Sequence, residues 1–512
     1  MRRQVRLRRR ILAASLVVVG AVIAWQVWPN GGDLDRVAGP GREGPADDGS
    51  GADEGSGSGV NLSEAPIEHV VFVVKENRTF NNYFATYPGA EGATEGGTIE
   101  CTQDGCDDGP TVRLRPATDV QPHDLTHCFR CGLTAVNDGK MNGFNHMNGP
   151  VGLDQDRQLL YGSDLSGYVY FERKGIPNYW AYADRFVLAD WFFTPMYGPT
   201  LPAHLYAVAA SSNDIVDNKL NAEFPGNYCD DASEFSSKFE DDLTRREVRK
   251  IIEIEMNITA NGGNWYRLGE FWEEIRLCFD MEILPDQLDE ADISWKYYAT
   301  ENAWMNVLQM IRHIRYGPGW RKVVDPDTFL RDVRGGELPE VSWLIPPEPY
   351  NEHPGGEKSV CAGENWTVNL VNTIMKSEFW ESTAIVLVWD DFGGFYDPIP
   401  PPQYDIMGLG PRTPALIISP YTRHGDNQDG GSVDSTEYEF SSVLAFIEAI
   451  FDLEPMTERD RNADPLSGAF DWENPDFDKL ILPLRNDCPY GTTLRQLGPS
   501  WPFSRSMGTR AD

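Results

Sequence analysis

The chain is 512 residues long, 41% apolar and 12% aromatic, which is enough to bury a large core. Its formal charge of −35 argues against a surface that reads nucleic acid or an anionic bilayer, since both partners are bound through clustered lysine and arginine. A phosphate-bearing ligand must then meet a local positive centre, such as a divalent cation, a helix N-terminus or a few basic side chains.

Six of the first ten residues are arginine, and Ile11 to Trp28 is an almost unbroken apolar run ahead of Pro29. Residues 1–29 therefore read as an export signal or membrane anchor, with the uncleaved anchor favoured because no clean Ala-x-Ala site follows. Either route puts the body of the chain outside the cytoplasm. Cys101, Cys106, Cys128, Cys131, Cys229, Cys278, Cys361 and Cys488 all lie beyond this segment, an even number that fits disulfides in an oxidising compartment. Cys128-x-x-Cys131 after His127 could instead begin a zinc site, although no second Cys or His pair completes a tetrahedral set.

Residues 30–63 are rich in Gly, Asp and Ser and read as a flexible linker. A folded domain is expected over 64–490, followed by a tail at 491–512. Within the domain, short β-branched runs alternate with helical patterns, the signature of an α/β fold: a mostly parallel central sheet with helices on both faces. Strands are expected at His69 to Val74, Arg185 to Asp190, Ser294 to Tyr298, Val341 to Ile345, Ala384 to Val388 and Ala415 to Ile418. Helices are expected at Trp366 to Phe379 and Ser441 to Phe451. The acidic stretch 213–284, amphipathic in pieces such as Leu243 to Met256, reads as an inserted helical cap.

Chemistry concentrates where strands end. Glu76 and Asn77 follow the first strand, and Asp390-Asp391-Phe392-Gly393-Gly394 follows Ala384 to Val388. Hard oxygen ligands at the carboxyl ends of strands suit a catalytic cation, and Arg78 suits a phosphate or a structural ion pair. Each group also has a plainer reading: an Asx-type turn and a glycosylation sequon at Asn77-Arg78-Thr79, and solvent-exposed acid at the aspartate pair. Thr200, in Gly198-Pro199-Thr200-Leu201-Pro202, falls at a helix start, either as an N-cap or as a nucleophile near the positive end of the helix dipole. His127, His204 and His353 flank turns and could bind phosphate oxygen, protonate a leaving group or ligate metal.

Five motifs in order resemble the bacterial phosphoesterase family of secreted phospholipases C and AcpA-type acid phosphatases, a branch of the alkaline-phosphatase-like fold. They are Glu76-Asn77-Arg78-Thr79-Phe80, Asp124-Leu125-Thr126-His127 with Lys140-Met141-Asn142-Gly143-Phe144, Gly198-Pro199-Thr200, Glu352-His353-Pro354, and Asp390 to Asp397. The resemblance implies one divalent metal of unspecified identity, held by Glu76, Asn77, Thr200, Asp390 and Asp391. It also implies Thr200 as nucleophile, with His127 and His353 around the phosphoryl oxygens or the leaving group; His204, from its own context, joins them as a candidate catalytic histidine. The expected substrate is a phosphoester, a phospholipid or a small phosphate ester. Phosphodiester cleavage ranks first, a phosphomonoesterase second, and a surface binding protein without turnover stays open. Three departures stand out: Ala203 where Asn commonly follows Thr-x-Pro, Asn81 and Asn82 in place of Asp-His, and Pro398 in place of a histidine.

Overall fold

The computed structural model describes residues 61–488, apart from 103–104, 122, 148–149, 154–158, 162–164, 221–225, 258–264, 304, 357 and 426–430. The expected anchor at 1–29, all but the last three residues of the linker, and the tail at 491–512 lie outside the described residues. Among the described residues no helix is long and apolar enough to cross a membrane.

Eight strands form the central sheet: β1 (His69–Lys75), β2 (Val187–Ala189), β3 (Trp295–Tyr298), β4 (Val323–Val324), β5 (Val341–Leu344), β6 (Thr383–Trp389), β7 (Ala415–Ile418) and β8 (Ser432–Asp434), in the order β4-β3-β5-β1-β6-β7-β2-β8. All pairs are parallel except those of β7, which runs antiparallel to both β6 and β2, so the sheet is mixed. Every residue of β1 and β6 is buried, as parallel strands covered on both faces must be. Alternate β1 residues supply two separate cores: Val70, Phe72 and Val74 face one, Val71 and Val73 the other. Helices cover both faces, as the alternating pattern predicts.

The helices that matter for the site are α1 (Phe80–Phe84), α2 (Phe129–Val136), α3 (Pro177–Ala183), α4 (Thr200–Ala209), α5 (Arg245–Asn257), α6 (Val360–Lys376) and α7 (Phe440–Ile450). Helix α6 starts six residues earlier than its apolar period indicates, because Ser359 caps it by accepting from the Ala362 amide. Strands β4 and β8, at the two edges, are two and three residues long. Runs that short carry no readable alternation, which is why the sequence did not announce them.

The insertion departs from the expected helical cap. Besides α5 it contains an antiparallel strand pair, Phe235–Phe239 with Trp272–Arg276, closed at its base by the Cys229–Cys278 disulfide. Phe235, Phe239, Trp272 and Ile275 are the β-prone residues that a helical reading of this stretch overrode. Disulfides also join Cys128 to Cys131 and Cys361 to Cys488, and the first of these removes the thiolates a zinc site would need.

One buried acid lies far from the strand ends. Glu448 on α7 is 2% exposed, and burial, reinforced by Asp460, pushes its carboxyl up to about 9. A carboxyl raised in the folded state binds more protons than it does unfolded, so its contribution makes stability fall as pH rises from about 4.5 to about 9. Glu448→Gln is therefore expected to raise stability at pH 8 by on the order of 2 kcal/mol after discounting for partial solvent screening, seen as a higher melting temperature, and to change it little at pH 4. Thermal unfolding of both proteins across that range is the check; a difference independent of pH would contradict it.

Candidate active site

The carboxyl ends of the two central strands lie side by side, since β1 and β6 pair in parallel from His69↔Thr383 to Lys75↔Trp389. The next residues on each strand are the expected ligands. Glu76 is 1% exposed, and Asn77, Asp390 and Asp391 are fully buried. Asn77 takes a left-handed conformation (φ +57°), which asparagine tolerates better than most residues. Its amide N–H donates to Asp390 Oδ1 at 2.8 Å, and its side-chain Nδ2 donates to both Asp391 oxygens at 3.1 Å. The sequon at this position is thus buried in the site rather than presented at the surface.

Glycine is required just beyond the aspartates. Gly393 has φ +57°, and a Cβ there would lie 2.5 Å from the Asn77 carbonyl oxygen. A side chain would push the two strand ends apart.

Thr200 comes from the start of α4. The N-cap is Pro199 rather than Thr200, so the threonine hydroxyl is not used as a cap. Its Oγ1 donates to Asp391 Oδ2 at 3.2 Å and lies 3.5 Å from Glu76 Oε2. The insertion braces this turn: Asn218 Oδ1 accepts the Leu201 amide at 3.0 Å. One turn along α4, His204 Nε2 is 3.3 Å from Glu76 Oε1 and 3.7 Å from Asp390 Oδ2. The sequence groups His204 with the catalytic histidines, but the fold seats it among the carboxylates, where Glu76, His204 and Asp390 have the spacing of a metal-binding set.

His127 and His353 form the opposite wall, with ring centroids 5.7 Å apart. His127 Nδ1 bonds the Leu125 carbonyl at 2.6 Å and His353 Nδ1 the Pro354 carbonyl at 2.5 Å. Each backbone contact fixes the ring and leaves Nε2 for other partners. Burial alone would pull His127 down, but the Asp391 and Asp124 carboxylates outweigh it and push the ring up to about 9. His353 is held well below the ordinary imidazole range by burial and by the nearby positive Lys358 and His127. The two neighbouring rings are thus pushed in opposite directions.

The donor set fits a divalent cation. Three buried carboxylates converge, and among the described residues no lysine or arginine forms an ion pair with them. Glu76 is pushed up to about 8 by burial and by Asp391, and Asp390 is raised well above the carboxylate range by burial and by Glu76 and Asp391. Asn77 Oδ1, Asp390 Oδ2 and His204 Nδ1 are buried without a hydrogen-bond partner. Hard oxygens plus one imidazole, with excess negative charge and unsatisfied lone pairs, are what such an ion neutralises.

A family model described as the phosphoesterase family matches residues 67–454. The chain belongs to that family. Among its relatives, the haemolytic phospholipase C of Pseudomonas aeruginosa is 27% identical over 421 residues, covering 75% of this chain and 53% of that protein. The non-hemolytic phospholipase C of Burkholderia pseudomallei is 25% identical, covering 86% and 64%. Phospholipase C B of Mycobacterium tuberculosis is 25% identical, covering 87% and 88%. The chain thus spans about half the length of the first of these relatives and under two thirds of the second. A solved protein of the alkaline phosphatase superfamily from Vibrio parahaemolyticus overlaps 69% of the chain and 72% of its own, with a TM-score of 0.31 and 10% identity.

One of the chain's departures from the family motifs has a local explanation. Asn81 exchanges hydrogen bonds with Ala93, and Asn82 Nδ2 donates to the Val169 carbonyl at 2.8 Å, so both pin flanking loops. Asp397, the residue before Pro398, is held by Arg412 through Nε at 2.9 Å and Nη2 at 3.2 Å, both residues being fully buried. Nothing in the structure explains Pro398 or Ala203. Arg78, a candidate for phosphate, instead donates Nη2 to the Glu352 carbonyl at 2.7 Å and stacks 4.7 Å from the Phe395 ring centroid. Sequence reasoning missed Lys75, Tyr83, Tyr179 and Trp389, which lie directly beneath the site; the signal for Lys75 was a lysine closing an otherwise apolar strand.

Proposed function

We propose that the chain is an exported, metal-dependent phosphoester hydrolase, a phospholipase C-like phosphodiesterase with Thr200 as its nucleophile. The observation that carries this reading is the position of the Thr200 hydroxyl, at a helix N-terminus, 3.2 Å from Asp391 and 3.5 Å from Glu76. Family membership and relatives named phospholipase C support the reaction class. The three disulfides among the described residues and the arginine-led apolar run at 1–29 support a location outside the cytoplasm.

Glu76, Asn77, Thr200, Asp390 and Asp391, with His204 beside them, would hold the cation. A bound divalent cation supplies Lewis acidity toward phosphoryl oxygens and a lowered pKa for an adjacent hydroxyl. Thr200 Oγ1 attacks phosphorus, its proton passing toward Asp391, the carboxylate it already contacts. The Oγ1–P bond forms as the bond from phosphorus to the leaving oxygen breaks, and His127, its ring also facing Asp124, donates the proton that this oxygen needs. His353 accepts the proton of the water that then cleaves the Oγ1–P bond, Asp391 returns its proton to the departing Thr200 Oγ1, and the proton taken up by His353 restores that of His127. Two neighbouring imidazoles pushed in opposite directions are the arrangement an acid and a base require.

Purified protein assayed on a chromogenic phosphodiester and a phosphomonoester, with and without chelator, tests the reading. Diester cleavage that chelator abolishes and added divalent cation restores is expected. Preference for the monoester would favour an acid phosphatase of the same family, and cleavage of neither would favour a binding protein. His127→Ala is expected to lower kcat by about 10²- to 10⁴-fold for an alkyl leaving group, and far less for a nitrophenolate that needs no proton. Equal losses on both would remove His127 from the acid's role.

A further inference from the structure

One buried carboxylate is tied to the residues just before both pairs of strand-end acids and amides in the site. Glu352 immediately precedes His353, is fully buried, and has φ +74°, a conformation glutamate rarely adopts. Its Oε1 lies 2.5 Å from Lys75 Nζ and accepts from Tyr179 Oη at 2.5 Å. Its Oε2 accepts from Tyr83 Oη at 2.6 Å and from Trp389 Nε1 at 3.0 Å. Lys75 is the residue before Glu76, and Trp389 the residue before Asp390. Lys75 Nζ also donates to the Gly363 carbonyl at 2.9 Å and to Thr367 Oγ1 at 3.1 Å on α6. The backbone repeats the tie, since the Glu76 amide donates to the Asn351 carbonyl at 2.9 Å.

Stability does not account for this cluster. A buried ion pair is often no better than apolar side chains of the same volume, because both charges lose their hydration. Its distinctive property is geometric: a carboxylate saturated by four donors from four elements, β1, α1, α3 and β6, has one position, and the strained backbone beside it then has one direction.

We propose that the Lys75–Glu352 pair is a positioning device that fixes His353 against the cation-binding strand ends, so that Glu352 acts on turnover through His353. The inference rests on the reading of His353 as a group at the phosphoryl centre. Glu352 is a positioning residue, not a catalytic one.

A double-mutant cycle tests it. Glu352→Gln is expected to lower kcat on a chromogenic phosphodiester by about tenfold to a hundredfold, the cost of a small misplacement of a reacting group, with KM changed less than about threefold. In a His353→Ala background the same substitution is expected to change kcat by less than about twofold, because the group it positions is gone, while its effect on melting temperature persists. Losses that multiply equally in both backgrounds would overturn the proposal.

An arm without turnover separates this from the function itself. In histidine-labelled protein, the His353 imidazole resonance, assigned by its loss in His353→Ala, is expected to shift in Glu352→Gln and not in Glu448→Gln. An unmoved resonance overturns the proposal even if the protein hydrolyses nothing, whereas absent hydrolysis with a moved resonance overturns only the reaction. Should Glu352→Gln fail to fold, Tyr83→Phe and Tyr179→Phe each remove one donor without stranding the lysine charge. Both are then expected to shift the resonance in the same direction, and absence of any shift in either overturns the proposal.

Discussion

Thr200→Ala is expected to lower kcat on a phosphodiester by about 10⁴-fold or more, the scale seen when a nucleophile is removed and only binding and electrostatic stabilisation remain. The side chain is 1% exposed and sits in the first turn of α4, so truncation also leaves a small void and removes a donor from Asp391. That structural cost is on the order of 1 kcal/mol, too little to unfold the domain and about a factor of ten in any equilibrium it touches. The two effects therefore separate by three orders of magnitude. Thr200→Ser keeps the hydroxyl and is expected to stay within about a hundredfold of the parent protein, losing part of its rate to the freer rotation of the unbranched side chain. The direct measurement is mass spectrometry of acid-quenched reactions, in which the peptide bearing Thr200 carries the phosphoryl group with its retained ester substituent in the parent protein and the peptide of the alanine variant carries no such adduct. Activity in Thr200→Ala within tenfold of the parent would remove Thr200 from the nucleophile's role.

The sequence disclosed the fold where one face or both faces of an element were decided by burial. Strands β1 and β6 read as continuous apolar runs because both of their faces are covered, and β5, β3 and β7 read nearly as well. Edge strands β4 and β8 are held by a few backbone hydrogen bonds to a neighbour, a relation that leaves no composition behind. The insertion misled for a related reason. Leu243 to Met256 has a strong helical period and does form α5, but the flanking strands pair with each other rather than with the main sheet, and their alternation is broken by charged residues such as Lys238, Glu273 and Glu274.

The candidate ligands stood out because their chemistry is unusual where it stands: acids placed directly after apolar strands. The places of the histidines were less legible. His204 lies four residues after Thr200, a helical spacing that puts both on one face of α4, and that arithmetic alone could have moved it from the catalytic wall to the carboxylates. The support under the site was hidden for a deeper reason. Lys75, Tyr83, Tyr179, Trp389 and Glu352 come from five separated places in the chain, each ordinary alone, and only the folded contacts make them a unit. Glu352 was noticed as part of a motif, while its four donors were not.

Asp390→Asn is expected to act in opposite directions on the protein with and without its cation. In chelator, the substitution removes one of three buried carboxylates that repel one another. Asn can still accept the Asn77 amide now held by Asp390 Oδ1 at 2.8 Å, and its NH₂ can face Glu76. Relief of on the order of 2 kcal/mol at pH 7.5 is expected, seen as a higher melting temperature. The pH dependence follows from Glu76, whose carboxyl stands at about 8 in the fold and near 4.3 in an unfolded chain. Between those values the folded state binds more protons, so the cation-free parent loses stability as pH rises from about 4 to about 8. With one neighbouring charge gone, that slope should be shallower in the variant. With cation present the order reverses: the parent gains about 2.7 kcal/mol when free cation stands at a hundredfold its dissociation constant, and the pH slope flattens because the carboxylates are neutralised. The variant, short of one ligand charge, is expected to bind at least about a hundredfold more weakly, to show little cation-induced shift, and to lose hydrolysis accordingly. Melting curves of both proteins across pH 5 to 9 (about half a unit apart), with chelator and with manganese or calcium, decide it. If the variant melts lower than the parent in chelator, the three carboxylates are not under mutual repulsion, and the case for a cation at these strand ends loses its electrostatic basis.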